Sequence, residues 1–266
     1  MTALLDLNLD VFYGDRQVLA AIDLQIAPGE LVGLAGASGA GKSTLAACVI
    51  GLLRFKKARA SGRAAFDGSD LLTLPEPALR RIRGRDIALV PQSPVAALNP
   101  ALSIGRHFEE AWRAHCLHRS ERKAWREAAI EALQLAHLNG PEAILQRRPL
   151  QISVGQAQRV AIALAILHRP RLIVADEATS ALDPLTAAEI LKLFRTLNRE
   201  LGAALLFISH DLLSLASICH RIAVLHDGSI VEDRTPEALF CDPRHPYTQA
   251  LVAAIPRAPV PALIPA

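Results

Sequence analysis

The chain has 266 residues, of which 51% are hydrophobic, and its formal net charge is +3. The longest apolar runs, such as "VAIALAIL" (160–167), have about half of the roughly 20 residues that cross a bilayer, so no membrane span is predicted. The small charge gives no argument for nucleic-acid binding, and the four widely spaced cysteines favour neither zinc nor an iron–sulfur cluster. The acidic N-terminal stretch is unlike a secretory signal, which predicts a cytosolic protein, and the apolar content predicts a protein partner.

Three strands are predicted at the start of the chain. "LLDLNLDVFY" and "VLAAIDLQI" alternate apolar and polar residues, and the turns "YGDR" and "APGE" follow them. "ELVGLAG" is apolar throughout, which is typical of a strand buried on both faces. It leads into the glycine-rich "GASGAGKS" and then into "KSTLAACVIGLL", which has helical spacing. The sequence therefore predicts a strand–loop–helix unit.

The loop at 36–43 matches the pattern G-x-x-x-x-G-K-[ST]. Its glycines let backbone N–H groups surround phosphate oxygens, and the helix N-terminus adds a favourable dipole. Lys42 can reach the β- and γ-phosphates, and Ser43 can offer its hydroxyl to Mg²⁺. The alternative is an ordinary glycine-rich turn, but the strand before the loop and the helix after it favour a nucleotide site.

The middle of the chain is predicted to be helical. Residues 104–168 space their apolar side chains by three and four, most clearly in "HFEEAWRAHCL" and "RKAWREAAIEALQLA". The basic cluster "RRIRGR" (80–85) before them is interpreted as a solvated face or loop.

An alternation of strands and helices then resumes. "RLIVADE" and "ALLFISHD" are predicted strands on either side of the helix "LTAAEILKLFRTLNREL", and "RIAVLHDGSIVED" is a predicted hairpin around Asp-Gly. The proline-rich tail "IPRAPVPALIPA" is predicted to be poorly ordered.

Three polar residues close the two strands at the edge where ligands bind in open α/β sheets. Asp176 is placed to hold Mg²⁺, and Glu177 to orient or deprotonate the attacking water. His210 is placed to contact a γ-phosphate. Helix capping, a surface turn and an ordinary surface histidine remain the alternatives.

Taken together, these motifs resemble the nucleotide-binding subunit of an ABC transporter, over about residues 3–256. Tyr13, the loop at 36–43, Gln92 in "VPQSP", a signature at 152–156, Asp176–Glu177, "SALD" (180–183) and His210 follow the family's order. The resemblance implies an α/β fold: a RecA-like P-loop NTPase core, an N-terminal antiparallel β subdomain and an inserted helical subdomain that carries the signature. It places the core at 1–92 and 169–235, the helical subdomain at 93–168 and a short extension at 236–266, with a single ATPase domain over 1–256.

The resemblance also implies a role for each matching residue. Glu177, His210 and Lys42 would be catalytic, Asp183 would reach a second subunit, and Mg²⁺ would be held by Ser43, Gln92 and Asp176. The nucleotide would be bound by Tyr13, which stacks on adenine, and by Gly36, Ala37, Ser38, Gly39, Ala40, Gly41, Lys42, Ser43, Thr44, Gln92 and Asp176. The ATP of the opposite subunit would contact Ser153, Val154, Gly155 and Gln156. Val154 departs from the usual glycine, and we expect it to keep φ negative and to turn its side chain from the nucleotide.

Two further stretches narrow the resemblance. "AALNPALSIGRHFEEA" and "DPRHPYTQALVAAIP" are similar to importers of oligopeptides, dipeptides, nickel and metal–chelator complexes. The resemblance then implies ATP and Mg²⁺, a second ABC ATPase as homo- or heterodimer, two transmembrane permeases and, indirectly, an extracytoplasmic solute-binding protein. It implies no nucleic-acid partner and a peripheral position on the cytoplasmic face of the membrane.

Three other functional classes remain open for this sequence. They are a soluble ABC ATPase acting on ribosomes or nucleic acid, a P-loop kinase or GTPase, and a non-hydrolysing partner in a heterodimer. Ala178 replaces the proline usual in the family, which we expect to alter loop stiffness more than chemistry.

Overall fold

The structure is a computed structural model that describes residues 3–116 and 124–255. Its strands are β1 (Leu5–Tyr13), β2 (Arg16–Ile26), β3 (Leu31–Ala35), β4 (Ala58–Phe66), β5 (Ser69–Asp70), β6 (Ile87–Val90), β7 (Leu172–Asp176), β8 (Ala204–Ser209), β9 (Arg221–His226) and β10 (Ser229–Arg234). Its helices are α1 (Lys42–Val49), α2 (Glu76–Ile82), α3 (Pro94–Ala97), α4 (Ile104–His115), α5 (Trp125–Leu135), α6 (Pro141–Gln146), α7 (Val154–Ile166), α8 (Pro184–Leu201), α9 (Leu212–Ile218), α10 (Pro236–Cys241) and α11 (Pro246–Ala253). Among these residues, no helix combines the length and apolarity that a membrane span requires.

Two sheets organise the molecule. The antiparallel sheet has the order β2-β1-β4-β5, and the larger sheet has the order β10-β9-β3-β8-β7-β6. In the larger sheet the strands from β9 to β6 are parallel, and only β10 pairs antiparallel, at the edge. The predicted α/β class with an N-terminal antiparallel sheet is confirmed, whereas the boundaries between subdomains stay a prediction.

The larger sheet separates two hydrophobic cores. Along β8, Leu206 and Ile208 face a core shared with β1, β2 and α1, while Leu205 and Phe207 face a core shared with α4, α5, α7 and α8. Strands β3 and β7 divide their side chains in the same way. Side chains of a strand alternate between faces, so a strand covered on both sides must be apolar throughout. This explains the unbroken apolar runs.

The predicted Asp-Gly hairpin is confirmed. β9 and β10 are joined at Asp227 and Gly228, with φ of 45° and 79°. Two consecutive positive φ values are typical of the two-residue turn whose twist matches the strands. The predicted helices at 107–117 and 122–136 correspond to α4 and α5, although residues 117 and 122–123 lie outside the described residues. So does nearly all of the predicted tail, from residue 256 on.

Candidate functional site

The glycine-rich loop connects β3 to the N-terminus of α1, as predicted. Gly41 precedes the helix with φ of 108°, and a Cβ there would lie 2.6 Å from Leu19 Cδ2. At Gly36, a Cβ would lie 2.5 Å from the carbonyl oxygen of Leu225. The backbone contact at Gly36 is too close for any side chain, and the positive φ at Gly41 would strain any other residue, so the path of the loop requires glycine at each end. The first turn of α1 has no acidic residue of its own.

Lys42 is buried inside the loop, with 6% of its surface exposed. Its Nζ donates to the carbonyl oxygens of Gly36, at 2.8 Å, and of Ala37, at 2.9 Å, and lies 3.6 Å from Glu177 Oε1. A buried ammonium group requires such partners because loss of hydration is costly. These partners are also the groups with which a phosphate would compete for Lys42.

The ends of the parallel strands bring the predicted polar residues together. Glu177 follows β7, and its carboxylate accepts a hydrogen bond of 3.0 Å from Gln92 Nε2, in the loop after β6. His210 follows β8, and its Nδ1 lies 3.7 Å from Glu177 Oε2, although the ring is largely exposed. Glu177 is thus the centre of a cluster that also includes Lys42, as expected where carboxyl ends of parallel strands meet.

The backbone at Glu177 is left-handed, with φ of 47°. Its N–H donates to the carbonyl oxygen of Ile208 at 2.9 Å, and the next residue, Ala178, is buried. A left-handed non-glycine residue costs about 1–2 kcal/mol and persists only where its surroundings fix it. This backbone turn separates the directions of the adjacent Asp176 and Glu177 side chains.

Asp176 is a carboxylate in an unfavourable environment. Burial raises the pKa of its carboxyl group above the ordinary value, and the charge of Glu177 adds to the rise, against the hydrogen bond from Ser43 and the charge of Lys42. A nearby cation would restore the charged form. The raised pKa is therefore consistent with a site that binds a cation.

Two of the three residues predicted to hold Mg²⁺, Ser43 and Asp176, lie close together, and the Mg²⁺ role of both stays a prediction. The Ser43 hydroxyl is near enough to Asp176 to lower the pKa of its carboxyl group, and hydroxyl and carboxylate oxygens are hard donors that suit Mg²⁺. Gln92 instead directs its amide nitrogen to Glu177, so its metal role stays a prediction. Within 3–116 and 124–255 no three His, Cys, Asp or Glu residues are grouped to hold a metal. Mg²⁺ at this pair would need phosphate oxygens and water as its remaining ligands.

A cleft of about 270 Å³ lies over the loop. Its lining is formed by the loop and the strand-end cluster, namely Ser38, Gly39, Gly41, Lys42, Ser43, Thr44, Gln92 and Glu177. Tyr13 ends β1, whose partner strand β2 contacts Gly41 through Leu19. Tyr13 is absent from the lining, as are residues 153–156, all of which the structure describes. The structure thus brings together the loop, Gln92 and Glu177, but not the signature.

The signature forms the start of helix α7. Ser153 is the N-cap, and its hydroxyl accepts from the Gln156 N–H while Gln156 Oε1 accepts from the Ser153 N–H. This reciprocal pair is the capping box that the spacing Ser-x-x-Gln encodes, and the sequence analysis missed it. Val154 is the first helical residue, so its φ is negative as predicted, and it is 48% exposed. Valine at this position therefore keeps the N–H groups of the helix N-terminus in place.

Asp183 caps helix α8 next to the signature. Its carboxylate accepts from the N–H groups of Leu185 and Thr186 and from the Thr186 hydroxyl. A Cβ at Gly155 would lie 3.2 Å from Thr186 Cγ2, so the two helix starts are adjacent. The predicted reach of Asp183 to a second subunit stays a prediction.

One contact to the loop has no signal in the local sequence. Tyr247 on α11 accepts a hydrogen bond at its hydroxyl oxygen from the Ala37 N–H, at 2.9 Å. The two residues are 210 positions apart, and only the tertiary fold brings them together. The "HPYT" stretch marks the resemblance in the sequence without indicating what it contacts.

Comparison with known proteins finds a matching family, relatives similar in sequence and solved structures with a similar fold. Residues 19–180 match the family described as ABC transporter. The dipeptide transport ATP-binding protein DppD of Haemophilus influenzae is 38% identical over 96% of this chain and 78% of its own length. The peptidoglycan transport ATP-binding protein YejF of Agrobacterium fabrum is 40% identical over 95% of this chain and 46% of its own length. The solved dimeric post-hydrolysis state of the ATP-binding cassette MJ0796, bound to ADP and Pi, aligns with a TM-score of 0.71 and 29% identity, over 86% of this chain and 98% of that one.

Proposed function

Because this chain belongs to the ABC transporter family, we propose that it is the ATP-hydrolysing subunit that powers an importer of peptides. The observation that carries the proposal is the cluster of Lys42, Gln92 and His210 around Glu177, next to the glycine-rich loop. The peptide assignment rests on the relatives, whose names refer to dipeptide and peptidoglycan transport. Transport of nickel or metal–chelator complexes stays a prediction.

The residues of the cleft can perform hydrolysis mainly by positioning and charge. The N–H groups of the loop and of the α1 N-terminus would surround the phosphates, and Lys42 would leave the carbonyls of Gly36 and Ala37 for phosphate oxygens. Glu177 would orient a water for attack and accept its proton, while Gln92 holds the carboxylate in place. When bound at Ser43 and Asp176, Mg²⁺ would supply positive charge to the phosphate oxygens.

A second subunit would complete the site. The cleft lacks residues 153–156 in its lining, while α7 presents an exposed helix N-terminus with its cap already satisfied. Such an N-terminus is suited to bind an anion that another chain holds. Two chains facing head to tail would each supply one loop and one signature, and the cassette of the similar solved structure is itself dimeric.

Contact with membrane permeases is supported by exposed apolar side chains around Gln92. Leu89 on β6 and Val95 on α3 flank it, and Leu150, which precedes the signature, is 78% exposed. Both α3 and β6 pack against α7, and Leu150 lies shortly before the start of α7, so the three side chains are on or next to elements that meet at this helix. Apolar side chains grouped on a surface mark interaction sites. The subunit would then lie on the cytoplasmic face of a membrane, with two permeases and, indirectly, a solute-binding protein as partners.

The proposal is tested by uptake in cells that lack this gene and are complemented with the wild type or with Glu177→Gln. Labelled dipeptides, labelled oligopeptides and nickel are supplied separately. We expect peptide uptake to be lost in the deletion strain, restored by the wild type and absent with Glu177→Gln. Peptide uptake that persists in the deletion strain, or that Glu177→Gln restores, would overturn it. Loss of nickel uptake alone would replace peptide with metal as the cargo.

A further inference from the structure

The C-terminal segment touches the phosphate loop at its first peptide groups. The hydroxyl of Tyr247 accepts from the Ala37 N–H at 2.9 Å, and Lys42 donates to the Ala37 carbonyl oxygen on the other side of the residue. Ala37 is therefore held by both of its backbone polar groups. When Lys42 turns to a phosphate, the Tyr247 contact would remain.

The ring of Tyr247 is held rigidly. It stacks on His226 with ring centroids 3.9 Å apart and planes at 14°. His226 ends β9, immediately after Leu225, whose carbonyl oxygen lies against Gly36. The end of β9 thus supports the loop directly through Leu225 and indirectly through the stacked tyrosine. Two stacked planes fix the position of the hydroxyl better than a flexible side chain would.

The segment that carries Tyr247 is anchored to β10 by a buried carboxylate. Glu232 accepts hydrogen bonds from the N–H groups of Arg244 and His245, both at 3.1 Å. His245 caps α11, with its Nδ1 accepting from the Tyr247 N–H at 3.2 Å. Burial would raise the pKa of the Glu232 carboxyl group, but these hydrogen bonds outweigh burial and hold the pKa below its ordinary value. The anchor is therefore charged at neutral pH.

We propose that Tyr247 is a positioning residue whose hydroxyl holds the start of the phosphate loop in its nucleotide-binding shape. The "HPYT" stretch then has a physical task in ATP binding: the cap and the anchor orient α11, and α11 delivers one hydrogen-bond acceptor to Ala37. The inference rests on the proposed function, because it assumes that the loop binds ATP. It goes further in assigning a part of nucleotide affinity to a helix outside the motifs that surround the nucleotide.

The test compares Tyr247→Phe with Gln249→Ala in the full chain. Phenylalanine keeps the ring and its stacking and removes only the oxygen. Gln249 lies on the same helix but donates to the Pro243 carbonyl oxygen instead of the loop, so its change perturbs α11 alone. We expect Tyr247→Phe to weaken ATP binding about three- to tenfold, the size of one lost hydrogen bond, and Gln249→Ala to leave it unchanged. In the assembled transporter, KM for ATP should rise and kcat should stay.

A second measurement reports on the loop itself. Amide hydrogen exchange without nucleotide should be faster at Ala37 in Tyr247→Phe and unchanged in Gln249→Ala. Wild-type affinity and wild-type exchange in Tyr247→Phe would overturn the inference. So would an equal loss of affinity in both variants, which would assign the effect to attachment of the helix. If the wild-type chain itself fails to bind ATP, the proposed function fails, and the exchange comparison still decides the role of Tyr247.

Discussion

Replacing Glu177 by glutamine should separate ATP binding from ATP hydrolysis. Glutamine has the same shape and keeps an oxygen that can accept from Gln92, so the 3.0 Å hydrogen bond survives. What is lost is the negative charge, and with it the ability to take a proton from water. The change should therefore act on the chemical step and not on the fold.

The structure indicates how much Glu177→Gln should change ATP affinity and how much it should change the rate of hydrolysis. Lys42 Nζ lies 3.6 Å from Glu177 Oε1, and at an effective dielectric constant of about 20 this attraction is about 5 kcal/mol before desolvation is subtracted. Phosphate must compete with this ion pair, so its removal should leave ATP affinity unchanged or slightly higher. Loss of a positioned base slows catalysis about a hundred- to ten-thousandfold, which is about 3–5 kcal/mol in the barrier. The expected variant binds ATP and does not turn it over.

The assay is phosphate release by the assembled transporter, together with equilibrium binding of ATP. Glu200→Gln, an exposed position near the end of α8, is the matched control and should behave as the wild type. Size-exclusion chromatography with ATP should show a persistent dimer only for Glu177→Gln. A kcat within tenfold of the wild type would refute the role of Glu177, and so would a loss of ATP binding equal to the loss of turnover.

Three further predictions concern other parts of the molecule. Because the pKa of Asp176 is higher in the folded chain than its ordinary value, the ionised form costs stability at neutral pH, so Asp176→Asn should raise Tm in a thermal melt while weakening Mg²⁺-dependent ATP binding; a lower Tm would contradict this. Val154→Gly should lower the free energy of unfolding by up to about 1 kcal/mol, as glycine does in a helix, and leave the ATPase rate within about twofold; a severalfold faster rate would show that valine weakens the signature. Glu232→Gln should destabilise the chain by roughly 1–3 kcal/mol in denaturant titrations at pH 7. Folding lowers the pKa of Glu232, so its contribution to stability is present above the ordinary pKa and is lost as the pH falls through the folded pKa. The free energies of unfolding of the wild type and the variant should therefore converge in acid. A difference between them that is constant with pH would exclude the charge as its cause.

The parts of the fold that sequence predicts are those whose signal is local. About ten residues of sequence are enough to predict each of these features: the unbroken apolar runs of β3, β7 and β8, the glycine-rich loop and the Asp-Gly turn. β4 was not predicted, because "ARASGRAAF" has neither strong alternation nor β-branched residues. Its place is set by pairing with β1, where Gly62 lies against the Asn8 backbone.

The candidate site also has features that local sequence predicts and features that it does not. The alternation of strands and helices along the chain predicts parallel strands. The residues at or after the carboxyl ends of these strands are therefore predicted to meet at one edge of the sheet, and they are Lys42, Asp176, Glu177 and His210. The left-handed backbone at Glu177 and the contact between Tyr247 and Ala37 are products of tertiary packing. No local pattern encodes either of them.

The larger sheet separates the two hydrophobic cores, so the position of a residue along a strand determines which core its side chain enters. Leu205 and Leu206 are neighbours in the chain, yet the first supports the helical side and the second supports α1 and the antiparallel sheet. Truncation of either side chain leaves a cavity on one side only, and packed interiors transmit strain mainly to direct neighbours. A screen of substitutions along β8 should thus sort by odd and even position, with one class loosening the nucleotide loop and the other loosening the helices that carry the signature. The position of a substitution along β8 therefore indicates which of the two cores it disturbs.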